Sequence, residues 1–199
     1  MRKYGLKSKL RGKNPYIKIN QKTKEHKVFP NLLKRQFEQD VPYSVICTDI
    51  TYIKFKDIFL YLSALKDIST GEMVSWNVSD KIDMDLVLNS FDKKINLRGS
   101  LIHSDQGFHY TSPRYVKLLK KIGATQSMSR KGNCIDNAPI ESFFGHFKDE
   151  LDISDCVDID DVCRKVNEYM RYYNHERKQW NRNKMTPVEY RNYLLIQNN

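Results

Sequence analysis

Paired cysteines, long apolar runs and acid near its start are what this sequence has least of. Its four cysteines, Cys47, Cys134, Cys156 and Cys163, stand far apart with no CxxC pair. That disfavours both a disulfide framework and a four-cysteine zinc site. His103 and His109 show H-x5-H spacing, but no cysteine pair accompanies them to complete a zinc finger. The longest apolar stretch, Ile58 to Leu65, is far short of a membrane span. Met1-Arg2-Lys3-Tyr4 leads into no apolar segment of a secretory signal. With 8 glycines and 6 prolines in 199 residues, the chain is neither fibrous nor low in complexity. It reads as soluble and intracellular, with no membrane partner.

The scarcity of acid is local. Residues 1–36 hold twelve lysines and arginines and a single acid, Glu25, a local charge of +11 within a total of +10. The rest of the chain is therefore close to neutral. A basic arm of that kind suits phosphate or an acidic surface. Pro15 and Pro30 interrupt it, and no apolar period is sustained before residue 38.

From Tyr43 the pattern changes. Val45, Cys47, Asp49, Thr51, Ile53 and Phe55 alternate with Ile46, Thr48, Ile50 and Tyr52, which predicts a strand. Ile58 to Leu65 predicts a central strand, and Thr70-Gly71 a turn into a third, Met73 to Val78. Met84, Val87, Leu88, Phe91 and Ile95 fall at helical spacing, with Asp83 or Asp80 as N-cap. A short strand at Leu101-Ile102-His103 ends at Ser104-Asp105. Ser112-Pro113 opens a helix that Gly123 closes, and Ala124 to Met128 is a fifth strand. Ser129 to Asp136 reads as a polar loop. Further helices carry Ile140, Phe143, Phe144, Phe147 and Leu151, then Val162, Val166, Tyr169 and Tyr173. Thr186-Pro187-Val188-Glu189 is a capping box for a last one. The order is α/β: a five-stranded mixed sheet flanked by helices.

Three acids sit where a core would not choose them. Asp49 lies mid-strand on a mainly apolar face, where an uncompensated charge is costly. Asp105 follows the fourth strand, at the end where open α/β sheets place their ligands. Glu141 is in the first turn of its helix, off the apolar stripe. Converging carboxylates repel one another unless hard divalent cations neutralise them. Two such ions ~3.5–4 Å apart suit in-line attack on a phosphodiester. Each acid also has a plainer reading: a turn hydrogen bond for Asp49, a cap for Asp105, a helix-dipole partner for Glu141. Spacing alone does not choose.

The surrounding motifs do. Thr48-Asp49-Ile50-Thr51-Tyr52, His103-Ser104-Asp105-Gln106-Gly107 with Tyr110-Thr111-Ser112, and Asp136-Asn137-Ala138-Pro139-Ile140-Glu141-Ser142-Phe143-Phe144 resemble the DDE integrase core. The likeness is to bacterial insertion-sequence transposases made from the second of two overlapping frames. Tyr172-Tyr173-Asn174-His175-Glu176-Arg177 and Thr186-Pro187-Val188-Glu189-Tyr190-Arg191 look like the tail of that family. Cys47 stands where many relatives carry Trp. The resemblance implies an RNase H-like fold and Mg²⁺- or Mn²⁺-dependent DNA strand cleavage and strand transfer, with Asp49, Asp105 and Glu141 as catalytic and metal-holding residues. It implies transposon-end and target DNA as partners, a homo-oligomer on DNA, and a bacterial cytoplasmic, nucleoid-associated location. It divides the chain into a basic arm over 1–38, a catalytic core over 39–178 and a basic tail with a short helix over 179–199. The arm corresponds to the linker after an upstream helix-turn-helix module, so an upstream-frame protein carrying that module is a further expected partner. The rival readings are a plain RNase H-like nuclease and a truncated or domesticated copy that binds DNA without catalysis.

Candidate DNA contacts follow from charge and placement. Lys148, seven residues after Glu141, falls on nearly the same helix face about 10 Å further along. Arg130 and Lys131 lie in the loop between the second and third acids, and Arg177 and Lys178 open a second basic zone. Tyr169, Tyr172 and Tyr173 could stack on unpaired bases, though their helical spacing favours core. His103, Gln106, His109 and Tyr110 either shape the pocket or serve the core.

Overall fold

The alternation beginning at Val45 becomes β1 (Val45–Phe55) in the computed structural model, which describes residues 27–197. Lys56-Asp57 return the chain into β2 (Ile58–Asp67), paired antiparallel with β1, and β3 (Met73–Ser79) pairs antiparallel with β2. β4 (Leu101–Ser104) lies parallel to β1 on its other side, and β5 (Thr125–Met128) parallel to β4. The strand order is β3-β2-β1-β4-β5, the five-stranded mixed sheet that the sequence predicts.

Helices cover both faces. On one side α1 (Met84–Leu88) and α3 (Pro113–Ile122) enclose a core of Ile46, Leu65, Val87, Ile102, Tyr115 and Leu119. On the other, α4 (Ala138–Glu150) and α5 (Ile159–His175) set Phe143, Phe147, Val162, Val166 and Tyr173 against Cys47, Ile53, Leu60 and Leu62. Cys47 is fully buried here, so a small side chain is accommodated at that position. α6 (Pro187–Gln197) starts from the expected reciprocal box: Thr186 N–H donates to Glu189 and Glu189 N–H to the Thr186 hydroxyl. Ser112 caps α3 by accepting from Tyr115 N–H, and Gly123 ends it at φ 75°.

Some boundaries differ from the sequence pattern. The first helix stops at Leu88 instead of running to Ile95. Asp83 caps it, but Asn89 and Ser90 are weak helix formers, and the Ser90 hydroxyl turns back onto the Val87 carbonyl. Phe91 and Ile95 still reach the core, through the loop that follows. A four-residue helix, α2 (Phe108–Thr111), fills the stretch after β4, and the polar loop before α4 closes with a 3-10 turn, Cys134–Asn137.

Of the basic arm, residues 1–26 lie outside the described residues. The last third of the stretch is part of the fold. Leu33 is buried, Leu32 N–H donates to the Ser127 hydroxyl at 2.9 Å, and Arg35 pairs with Asp136 at 2.7 Å. The apolar content of that stretch is too sparse to show a period, yet one leucine and one ion pair suffice to dock it.

Candidate active site

The β1–β4 pairing decides where the first two acids stand. Ile46 is level with Ile102, and Cys47 with His103. Asp49 and Asp105 each lie two residues further on, so a parallel register carries both to the same end of the sheet. Asp49 stays in the strand, half-buried, with Ile50 N–H donating to its Oδ1 at 2.8 Å. Asp105 has left the strand, is accessible to solvent, and accepts from Gly107 N–H at 2.8 Å. A Cβ on residue 107 would lie 2.8 Å from that same carboxylate oxygen, so the Gly in Asp-Gln-Gly leaves room for it.

Glu141 arrives from α4. Pro139 occupies the first turn, where its missing N–H costs nothing. Ile140, Phe143, Phe144 and Phe147 bury the opposite stripe against the sheet, leaving Glu141 exposed near the helix start. Its helix therefore takes its rotation from the phenylalanines.

The three acids feel one another. Burial first, then the charges of Asp105 and Glu141, hold the Asp49 carboxyl well above its ordinary range; Ile50 N–H and Lys148 pull the other way. Asp105 is raised by the protein crowded around it, against the Gly107 hydrogen bond. Glu141 is raised by desolvation and then by Asp105. This donor set, all carboxylate oxygen and mutually repelling, fits a hard divalent cation and not a soft one. It is an open arrangement: among the described residues no three His, Cys, Asp or Glu side chains close into a metal-binding group.

Lys148 stands where the sequence places it, beside the acids. Its ammonium lies 3.9 Å from the centre of the Tyr52 ring and favours the charged form of Asp49. The other candidate cations fare differently. Arg130 donates to Asp136 through Nε, Nη2 and its backbone N–H. Arg177 is held by Glu150 at 2.7 Å and lies over Tyr173. Lys131 and Lys178 are exposed. Tyr169 and Tyr173 are core residues, with only Tyr172 outside.

His103 and His109 are both buried. His103 is buried with Nδ1 against the Ser127 hydroxyl at 2.8 Å, and burial lowers its pKa. His109 lies against the Ile82 carbonyl and is pushed down to about 4. Gln106 ties the loop after β4 to the Ser129 carbonyl.

Asp136 is the positioning residue that sequence reasoning passes over. It is buried and accepts from Arg130, Arg35 and Asn31; Arg130 foremost, then Arg35, holds its carboxyl well below the usual range against the opposing effect of burial. It thereby fastens the segment before β1 and the loop after β5 to the foot of α4. One partner, Arg35, is about a hundred residues away in the chain, so no local spacing reveals the pair.

Two family models, each described as an integrase core domain, match residues 39–134 and 141–195. The chain is 40% identical over 172 residues to the putative transposase InsK for insertion sequence element IS150 of Escherichia coli K12, covering 84% of this chain and 61% of InsK. It thus spans less than two-thirds of that relative's length. It is 36% identical to an uncharacterized transposase-like protein of Haemophilus influenzae, over 83% of this chain and 78% of that one. In fold it is similar to the HTLV-2 integrase catalytic core domain in complex with magnesium, with a TM-score of 0.61 at 18% identity over 76% of this chain and 97% of that one. It is also similar to a chain of a simian T-cell lymphotropic virus intasome, with a TM-score of 0.65 at 15% identity over 88% and 62%.

Proposed function

Since this chain belongs to the integrase core family, among the transposases of insertion sequences, we propose that it cleaves DNA strands at the ends of a mobile element and joins them to target DNA. The observation that carries this reading is the convergence of Asp49, Asp105 and Glu141 from a strand, a strand end and a helix, each with its carboxyl raised by burial or by the others.

Asp49, Asp105 and Glu141 would hold Mg²⁺ or Mn²⁺. When bound, such ions supply the Lewis acidity that attack on a phosphodiester needs. The chain's own residues position the reactants. Asp49 is set by the strand and Asp105 by the Gly107 turn. Lys148, against Tyr52, presents a cation for a phosphate next to the reacting one. In each of two successive displacements a P–O bond forms to the incoming oxygen, water first and then the freed 3′-hydroxyl. The opposite P–O3′ bond breaks, without a covalent enzyme intermediate.

Residues 1–38 would supply backbone contacts to DNA, 39–178 the chemistry, and 179–199 a basic tail. Action as a homo-oligomer on DNA, a cytoplasmic, nucleoid-associated location and cooperation with an upstream-frame helix-turn-helix protein belong to the same proposal.

An end-cleavage and strand-transfer assay with labelled oligonucleotides tests it. Mg²⁺-dependent nicking followed by joining is the expected result. Hydrolysis with no joined product would leave a plain nuclease. Deleting residues 1–26, which leaves the docked part of the arm in place, should make log K against log salt shallower, by roughly 0.9 for each phosphate that the segment neutralises. An unchanged slope would move DNA affinity to the core.

A further inference from the structure

The face of α4 that turns away from Glu141 borders a second feature. Pro139, Ser142 and His146 line a cleft of about 620 Å³ with the end of α5 and the loop that follows it. A helix turns about 100° per residue, so this side is adjacent to the Glu141 side but separate from it. No Asp or Glu lines the cleft, whereas Lys66, Arg177, Lys178 and Arg182 do. Arg177 is already matched by Glu150. Asp67, which the Arg182 guanidinium feels, is engaged by the Ser69 and Thr70 hydroxyls.

Buried donors collect here. Lys66 is only 8% exposed, and its ammonium donates to the Pro139 carbonyl at 3.1 Å while standing over the Phe143 and Tyr173 rings at 5.5 and 5.8 Å. Arg182 donates through Nη1 to Gln179 Oε1 and through Nη2 to the Ile68 carbonyl, which leaves its Nε and the Gln179 Nε2 buried with no hydrogen-bond partner. Unsatisfied buried donors of this kind are costly and call for an acceptor. Gly71 lets the arginine in: it sits at φ 78°, and a Cβ there would lie 2.9 Å from the Arg182 guanidinium. On the rim, Trp180 is 84% exposed with the Lys184 ammonium 4.9 Å from its ring centre. An exposed indole beside cations is a surface on which a base can stack.

We propose that this cleft binds a nucleotide of an unpaired DNA strand, its phosphate against Lys66, Gln179 and Arg182 and its base against Trp180. The inference rests on the reading of the chain as a DNA strand-transfer protein, and it adds a site for single-stranded DNA one helix face from the acids. The volume falls in the range of small-ligand pockets. The basic segment over residues 1–26 carries the wrong charge to fill it.

The test uses the full chain. Trp76→Phe leaves Trp180 as the sole tryptophan. An eight-nucleotide thymidine oligomer should then quench its fluorescence saturably. The same strand with abasic sites should bind at least about fivefold more weakly. Trp180→Ala and Arg182→Gln, read by anisotropy of a labelled strand, should each lose affinity, and Trp180→Phe should retain it. Equal binding of the abasic strand, equal quenching by hexaglutamate, or unchanged affinity in both Trp180→Ala and Arg182→Gln would overturn the cleft assignment. Asp105-dependent cleavage of duplex ends, measured alongside, keeps the two readings apart: its persistence with no cleft binding sinks only the cleft, and its absence sinks the catalytic proposal.

Discussion

Two groups of acids at the start of α4 meet opposite fates. Asp136 is buried and answered within the chain by Arg35, Arg130 and Asn31, so its charge is stabilised. Asp49, Asp105 and Glu141 crowd together with Lys148 as the cation that favours ionised Asp49, and their carboxyls are raised. The fold can supply two guanidinium groups to one carboxylate a short distance along the chain from the others. Leaving the triad underpaired therefore reads as a feature of the site, a negative potential that folding leaves for an external cation to neutralise.

The largest effect should come from breaking the underpaired side. Asp49→Asn, Asp105→Asn or Glu141→Gln should each lower Mg²⁺-dependent cleavage at least ~10³-fold, about 4 kcal/mol of barrier, with the circular dichroism spectrum unchanged. Near-normal cleavage by any one of them would remove that residue from the site.

Next comes the paired side. Asp136→Asn should lower stability by roughly 2 kcal/mol in urea denaturation, less than a fully enclosed pair would lose because both arginines are partly exposed. Its pH dependence has a definite sign. The carboxyl is depressed in the fold, so its contribution is complete above the ordinary Asp value and is lost as pH falls below it. Wild-type Tm should therefore drop on acidification below about pH 4 more steeply than that of Asp136→Asn. Parallel curves would mean that the ion pairs contribute little.

The smallest effect contrasts the two groups directly. Without metal, Asp49→Asn should raise Tm by about 2–4 °C because repulsion is relieved, whereas Asp136→Asn lowers it. Added Mg²⁺ should stabilise the wild type and not the Asp49 variant. A fall in Tm for Asp49→Asn would show that Ile50 N–H and Lys148 already satisfy that carboxylate.

What the sequence could show follows the same division. The three acids drew notice because each breaks a local rule (an acid on an apolar strand face, an acid just past a strand, an acid off a helix stripe), but it is the motifs around them that choose the catalytic reading. The sheet was legible for a related reason, since alternation and turn residues act over a few positions. Asp136 was not legible, because its partners Asn31 and Arg35 belong to a segment with no periodic pattern. The cleft was hidden likewise: Lys66, Pro139, Gln179 and Arg182 come from separate places in the chain. Arg130 reads as a DNA contact from its place in the loop, and only the fold reveals that it also pairs with Asp136.

The parallel register of β1 and β4 also decides what the chain can absorb. The chain between β1 and β4, which carries β2, β3 and α1, leaves that pair of strands and comes back to it. An insertion or deletion in those connecting turns changes the number of residues separating the two aspartates without altering their spatial neighbourhood, since strand pairing resets the alignment on return. Glu141 is protected by a different means. It is reached through the loop from Ser129 to Asn137, clasped by Asp136, but the place and rotation of α4 are set by the phenylalanines packed on the sheet. Length variation before the first two acids is thus reset by strand pairing, and before the third by side-chain packing.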